Sequence, residues 1–218
     1  MGGTGATNDP QLYDQVHERR EGTPLVRKAS FEHLVTPRIS NGAPEWDTVW
    51  VRRLHLLRHA KSSWDDDALR DRDRPLAPRG RRATKRIASW ARKHDVRPQL
   101  VVSSSAVRAR ETLRGVLPGL GEPEVWIEVA LYAASAETLL ERVHALPNEA
   151  EEAMLVGHNP GLGDLLLLLA APGELRERAE AKVPTGALAT LEADIERWAD
   201  LEPGGAQVVS FVVPRQLK

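Results

Sequence analysis

The sequence predicts an α/β fold: a three-layer α/β/α sandwich around a mostly parallel central sheet. Two observations carry that expectation. From Trp50 onward, short apolar runs bounded by turn residues alternate with helical patterns, the order that builds a parallel sheet covered on both faces. Hydrophobic residues make up 41% and charged residues 28% of 218 positions, enough for a buried core beneath a solvated surface.

The elements follow in order. Residues 1–48 stand apart, rich in Gly, Thr, Asn, Pro and charge, with apolar positions in neither helical nor strand period. They read as a flexible or loosely docked extension, within which Leu25 to Val35 could add a short element, ahead of a domain over 49–218. Val51 to Leu57 is the first strand of that domain and runs into the polar burst Arg58-His59-Ala60-Lys61-Ser62-Ser63. Pro78 and Gly80 open a helix to about Lys93, with Ile87 and Trp90 on its buried face. Leu100 to Ser103 is a second strand, and Ala106 to Leu117 a helix stopped by Pro118 and Gly119. Val125 to Val129 is a strand and Ala136 to Leu146 a helix stopped by Pro147. Ala153 to Val156 is a buried strand, followed by Gly157-His158-Asn159-Pro160-Gly161 and an apolar helix to Ala170. Ala187 to Leu191 and Gln207 to Val213 are the last two strands.

Composition also narrows the chemistry. With 30 basic and 31 acidic residues the formal net charge is -1, so no global field recommends nucleic acid or an anionic membrane as partner. The absence of cysteine removes disulfides, thiolate nucleophiles and cysteine-ligated zinc. The first twenty residues carry no apolar stretch suited to a signal sequence. The most apolar run, Leu162 through Ala171, is about half the roughly 20 residues needed to span a bilayer. The expectation is a soluble, cytoplasmic protein.

Three polar clusters fall at carboxyl ends of predicted strands, where open α/β sheets bind ligands: Arg58-His59, Ser103-Ser104-Ser105 leading to Arg108, and Gly157-His158-Asn159. Two arginines and two histidines suit a compact dianion. Arginine presents bidentate donors matched to phosphate oxygens and stays charged, while a neutral histidine can attack phosphorus. Gly157 and Gly161 could let backbone approach the ligand, and a helix beginning near Pro160 would aim its amides at an anion. Phosphoryl transfer demands mainly positioning and charge neutralisation, which this set supplies without a metal or other cofactor.

Leu56-Leu57-Arg58-His59-Ala60-Lys61-Ser62 resembles the Arg-His signature of the histidine phosphatase superfamily, whose members include the phosphoglycerate mutases. Ser104-Ser105-Ala106-Val107-Arg108-Ala109-Arg110-Glu111-Thr112 looks like its second signature, and Gly157-His158-Asn159-Pro160-Gly161 like its third. Trp64, Asp73-Arg74-Pro75-Leu76, Arg79-Gly80, Leu131-Tyr132 and Pro184-Thr185-Gly186-Ala187-Leu188 are similar to the landmarks of the SixA-type phosphohistidine phosphatases. The resemblance runs from about Leu54 to Phe211 and implies a phosphoglycerate mutase-like fold. It implies His59 as a nucleophile that carries the phosphoryl group. Arg58, Arg108 and His158 would bind the phosphoryl oxygens, with Asn159 contributing through its backbone amide and Lys61 at the substrate rim or in the pocket. Ser105 stands where the family usually has proline, which bears on loop stiffness more than on chemistry.

Leu131-Tyr132-Ala133-Ala134 stands where other members of the superfamily place a glutamate general acid. An alkoxide leaving group needs a proton in the transition state; imidazole leaving from a labile P–N bond has less need of one. Protein phosphohistidine, for example on a phosphorelay or phosphotransfer protein, is therefore the favoured substrate, bound in an open and shallow site. Glu128, Glu137 or one of Asp65, Asp66 and Asp67 could still reach the pocket as an acid. The alternatives are a phosphomonoesterase for a sugar or nucleotide phosphate, and a non-catalytic phosphate-binding module.

His55 would share a strand face with His59, but no third ligand at a familiar spacing supports zinc, and a buried strand histidine is the better reading. The basic stretch from Arg70 to Arg97 lacks interleaved aromatics and reads as a solvated face that could steer a phosphorylated partner.

Overall fold

A computed structural model describes residues 35–40, 43–48 and 50–217. Val35–Ser40 (β1) and Ala43–Thr48 (β2) pair antiparallel as a two-stranded sheet of their own. Strand pairing within the extension differs from the aperiodic reading of its sequence. Pro37 and Pro44 lie inside these strands, which a ribbon with open edges tolerates and a central strand does not. Asn41-Gly42, between the strands in sequence, is a hairpin signal that the prolines mask. The short element expected from Leu25 lies outside the described residues, except Val35, which opens β1.

Six further strands form the main sheet: Val51–Arg58 (β3), Leu100–Ser104 (β4), Glu124–Glu128 (β5), Glu152–Gly157 (β6), Leu188–Asp194 (β7) and Gln207–Val212 (β8). Their spatial order is β5-β4-β6-β3-β7-β8. β3, β6, β4 and β5 pair parallel, while β7 runs antiparallel to both β3 and β8. One reversed strand among six makes the sheet mostly parallel, as expected.

Five helices cover it: Pro78–Lys93 (α1), Val107–Val116 (α2), Ala136–His144 (α3), Gly161–Leu169 (α4) and Glu174–Ala181 (α5). Side-chain alternation along β3 divides the core. Leu54 and Leu56 pack with Leu139 and Val143 of α3 and Leu162, Leu165 and Leu169 of α4. Leu57 faces the other way, onto Ile87 and Ala91 of α1 and Ala109 and Leu113 of α2. Each such leucine contributes about 2 kcal/mol by leaving water, and the two faces together make the three layers. Trp198 closes the α3–α4 side, buried to 1% exposure. Helix α5 was not expected, because its sequence ELRERAEA buries only Ala179. No helix among the described residues is long and apolar enough to cross a membrane.

His55 is buried in the sheet, its ring nitrogens 2.9 Å from Thr190 Oγ1 and 2.8 Å from Glu152 Oε1. The same carboxylate oxygen accepts the Arg97 backbone N–H at 2.6 Å. These contacts make His55 a packing and hydrogen-bonding residue. Among the described residues, no group of three or more His, Asp or Glu is arranged to hold a metal ion.

Candidate active site

Because β4, β6 and β3 are adjacent and parallel, their carboxyl ends deliver Ser104, Gly157 and Arg58 to one edge. The chain just beyond is clamped there. The His59 amide donates to the Gly157 carbonyl at 3.0 Å, tying the end of β3 to β6. The Ala60 amide donates to Thr112 Oγ1 at 2.9 Å, and that hydroxyl donates to the Arg108 carbonyl at 2.6 Å. One threonine thus fixes the loop of His59 to the helix of Arg108. Gly186, at φ +79°, directs its amide at the carbonyls of Arg58 and His59, at 3.1 and 3.0 Å. A side chain there would be strained by that φ and would press on Pro214. Glu111 serves a neighbouring loop, accepting the Leu76 amide at 2.6 Å.

Within this frame the histidines have defined roles as donors and acceptors. His59 Nδ1 lies 2.8 Å from the Ala60 carbonyl, so it carries the proton. Nε2 therefore keeps its lone pair and accepts from Arg108 Nε at 3.3 Å. Burial, aided by the Arg108 and Arg58 charges and resisted by the Ala60 bond, lowers the pKa of His59 to about 4. The ring is neutral at physiological pH. His158 stands with its centroid 5.0 Å from that of His59, and burial, then His59 and Arg108, lower its pKa to about 3. His158 Nε2 lies 2.8 Å from Ser104 Oγ, which itself accepts the Ala106 amide at 3.3 Å. A serine proton given to Nε2 would leave the imidazole proton on Nδ1, which is buried without a partner among the described residues.

Arg58 donates from Nη1 to the Val183 carbonyl at 2.6 Å, and its buried Nε has no partner among the described residues. Asn159 reaches the same carbonyl through Nδ2 at 3.5 Å, so it stands beside Arg58. Lys61 is half-buried. Its carbonyl accepts the Ala77 amide at 2.9 Å and lies where a Cβ on Gly80 would come within 2.3 Å, which accounts for the glycine of Arg79-Gly80. Gly161 acts similarly: a Cβ there would lie 1.9 Å from the Ala134 carbonyl, so this glycine serves chain-to-chain packing. A Cβ on Gly157 would meet Leu162 at an ordinary 3.5 Å. Helix α4 begins at Gly161, one residue beyond the expected start.

The carboxylate at this site comes from none of the expected candidates. Glu128 is held by Arg142 Nε at 2.9 and 2.8 Å. Glu137 lies in the exposed first turn of α3, Asp65 and Asp66 bond within their own loop, and Asp67 is exposed beside them. Instead Asp71, in a 3-10 turn between β3 and α1, pairs with Arg108 Nη2 at 2.8 Å through Oδ2. The same oxygen accepts the Tyr132 hydroxyl at 2.8 Å, and the Asp71 carbonyl accepts from Arg108 Nη1. Burial alone would raise the pKa of Asp71, but the Tyr132 and Arg108 hydrogen bonds and charge bring it below its ordinary value. Arg74 is a further basic group at the site, near enough for its charge to act on Asp71. It is 9% exposed and stacks 4.1 Å from the ring of the exposed Trp64, and its Nε and Nη1 have no partner among the described residues. The Asp73-Arg74-Pro75-Leu76 landmark was the sequence signal for Arg74; Asp71 had none.

Comparison with known proteins agrees with this geometry. Residues 54–154 match the model of the histidine phosphatase superfamily, branch 1. An uncharacterized protein of Mycobacterium tuberculosis is 37% identical over 163 residues, 73% of this chain and 100% of that one. A candidate phosphohistidine phosphatase SixA from Agrobacterium tumefaciens is 32% identical, with a TM-score of 0.63 over 75% of this chain and 98% of that one. The protein histidine phosphatase SixA, solved with tungstate, is 25% identical, with a TM-score of 0.62 over 76% and 99% of the two chains. With its fold, its three signatures and these relatives in agreement, the chain belongs to the histidine phosphatase superfamily and is SixA-like.

Proposed function

We propose that the protein hydrolyses phosphohistidine, without a metal, through a phosphoryl intermediate on His59. The observation that carries this reading is the neutral His59, whose Nε2 lone pair faces Arg108, with Arg58 and His158 close by. Among the described residues, Arg58 Nε, Arg74 Nε and Nη1, and His158 Nδ1 are buried without partners, and an oxyanion would satisfy those that reach it. Three guanidinium charges against the single Asp71 carboxylate leave a positive excess suited to a phosphoryl dianion. Tungstate, bound by the SixA relative, is a tetrahedral oxyanion of the same kind.

The chemistry proceeds in two displacements. The Nε2 lone pair of His59 forms the new P–N bond while the bond from phosphorus to the leaving atom breaks and its electron pair departs with the leaving group. Arg58, Arg108, Arg74 and His158 hold the equatorial oxygens, with Asn159 and Lys61 at the margin. Throughout, Nδ1 keeps its proton against the Ala60 carbonyl, so the phosphorylated ring is an imidazolium. Water then attacks phosphorus, the pair of the P–N bond returns to Nε2, and the water's proton leaves to phosphate or solvent. Preorganised charge supplies most of the rate.

The test is phosphate release from a phosphohistidine-bearing protein and from p-nitrophenyl phosphate, with His59→Ala beside the wild type. Phosphohistidine turnover that vanishes in the variant, with weak aryl phosphatase activity, is the expected result. Better turnover of esters would favour the phosphomonoesterase reading. Equal inactivity of both proteins would make this a phosphate-binding module.

A further inference from the structure

We propose that Asp71 is the residue that selects phosphohistidine, its carboxylate accepting a hydrogen bond from the protonated distal nitrogen of the substrate's ring. The proposal rests on the phosphohistidine reading above and deepens it. In an in-line displacement the leaving group lies opposite the attacking atom. His59 is buried, at 8% exposure, so the leaving imidazole must lie toward the solvent side. The Asp71 side chain, 55% exposed and bonded to the same Arg108 that touches His59 Nε2, is at that side.

Its hydrogen bonds are suggestive in their distribution. Oδ2 takes both Arg108 and Tyr132, and Oδ1 takes neither. Anchoring of Arg108 does not by itself require the carboxylate, because the Asp71 carbonyl already accepts from Nη1. A carboxylate beside a phosphate site repels a bound phosphate; Arg108 and Tyr132 offset that charge at Oδ2, and Oδ1 is the oxygen that can take a donor from the substrate. The distal N–H of a phosphoimidazolium is such a donor. A serine, threonine or sugar phosphate offers no cation there and meets only the repulsion.

The proton balance favours the same ligand. A phosphohistidine whose distal nitrogen is protonated expels neutral imidazole: the P–N bond breaks, its pair stays on the ring nitrogen, and the distal proton stays where it was. Asp71 therefore donates nothing. It stabilises the protonated ring and so the better leaving group. His59 uses the same device one bond later, with the Ala60 carbonyl in the part of Asp71.

The experiment compares kcat/KM for phosphohistidine and for p-nitrophenyl phosphate, which leaves without a proton, in wild type, Asp71→Asn and Asp71→Glu. Loosening Arg108 would depress both substrates, so the ratio between them is the readout. The ratio should fall about tenfold or more in Asp71→Asn, the size of a lost charge-assisted hydrogen bond, and recover in part in Asp71→Glu. Wild-type turnover of phosphohistidine with an unchanged ratio in Asp71→Asn would overturn the role of Asp71 alone, leaving it a positioning residue for Arg108. Wild-type turnover of the aryl ester only would overturn the phosphohistidine reading and this proposal together.

Discussion

Thr112→Val tests whether one buried hydroxyl holds His59 in register with Arg108. Thr112 is 1% exposed, and its Oγ1 accepts from Ala60 at 2.9 Å and donates to the Arg108 carbonyl at 2.6 Å. Valine keeps the shape and removes both bonds. The Arg108 carbonyl sits one helical turn back and can relax within α2, but the buried Ala60 amide loses its acceptor. An unsatisfied buried donor costs about 1–3 kcal/mol, which for a domain of this size lowers Tm by roughly 4–8 °C at about 2 kcal/mol. Urea unfolding at pH 7 should show a lower midpoint at unchanged slope, with turnover of p-nitrophenyl phosphate reduced by about tenfold from looser His59–Arg108 geometry. Thr112→Ser gives up a methyl contact at about 1 kcal/mol but keeps the clamp, and it should retain most activity. The reasoning is refuted if Thr112→Val unfolds at the wild-type midpoint, or if the serine and valine variants lose activity equally.

Two other predictions follow from the same coordinates. Gly161→Ala would place a methyl 1.9 Å from the Ala134 carbonyl and should destabilise by about 1–3 kcal/mol. Gly173→Ala, with nothing within 4 Å, should shift the thermal midpoint by no more than about 2 °C. Stability should also fall with pH because of the two buried histidines. Burial and neighbouring charge put His59 at about 4 and His158 at about 3, below the ordinary 6.5. Between those values the unfolded chain takes up protons that the folded chain refuses. Their contribution is whole above pH 6.5 and drains away as pH falls toward 4, by about 3 kcal/mol for His59. Unfolding midpoints at pH 7, 5.5 and 4.5 should track this decline, and His59→Ala should flatten it.

What the sequence made legible depended on repetition and on signatures. Strand–helix alternation revealed the layers, and strand ends pointed to His59, Arg108 and His158: the two histidines follow β3 and β6 directly, and Arg108 lies in the first turn of α2 just after β4. Asp71 escaped because it occupies a 3-10 turn in the long connection from β3 to α1, where no period fixes direction. Its place depends on Arg108 and Tyr132, which are 37 and 61 residues away. Glu128 misled for the opposite reason: it ends β5 beside the motif strands, yet Arg142 of α3 claims both its oxygens. The β1–β2 pairing was hidden by prolines that usually exclude a strand, and α5 by a sequence with almost no apolar face.

The identity of the leaving group can be argued from where protons are held. A general acid must carry a proton at neutral pH and release it in the transition state, which requires a pKa near the working pH. Asp71 is held below its ordinary value by Tyr132 and Arg108 against its own burial, and it is ionised. Tyr132 is pushed the other way, first by its bond to Asp71 and then by burial, so it holds its proton too firmly. Glu128 is committed to Arg142, and burial holds His59 at about 4 and His158 at about 3, too low to carry a spare proton. An alkyl phosphate must then leave as an unprotonated alkoxide, forgoing the 10²–10⁴-fold help that general acids typically give. Aryl phosphates and phosphohistidine do not need that help. Glycerol phosphate should therefore be hydrolysed about 100-fold or more slowly than p-nitrophenyl phosphate in kcat/KM, with the gap staying open from pH 6 to 8. Comparable rates for the two esters would mean that a proton donor forms in the bound state, and the search for it would begin at Asp71, the carboxylate bonded to Arg108.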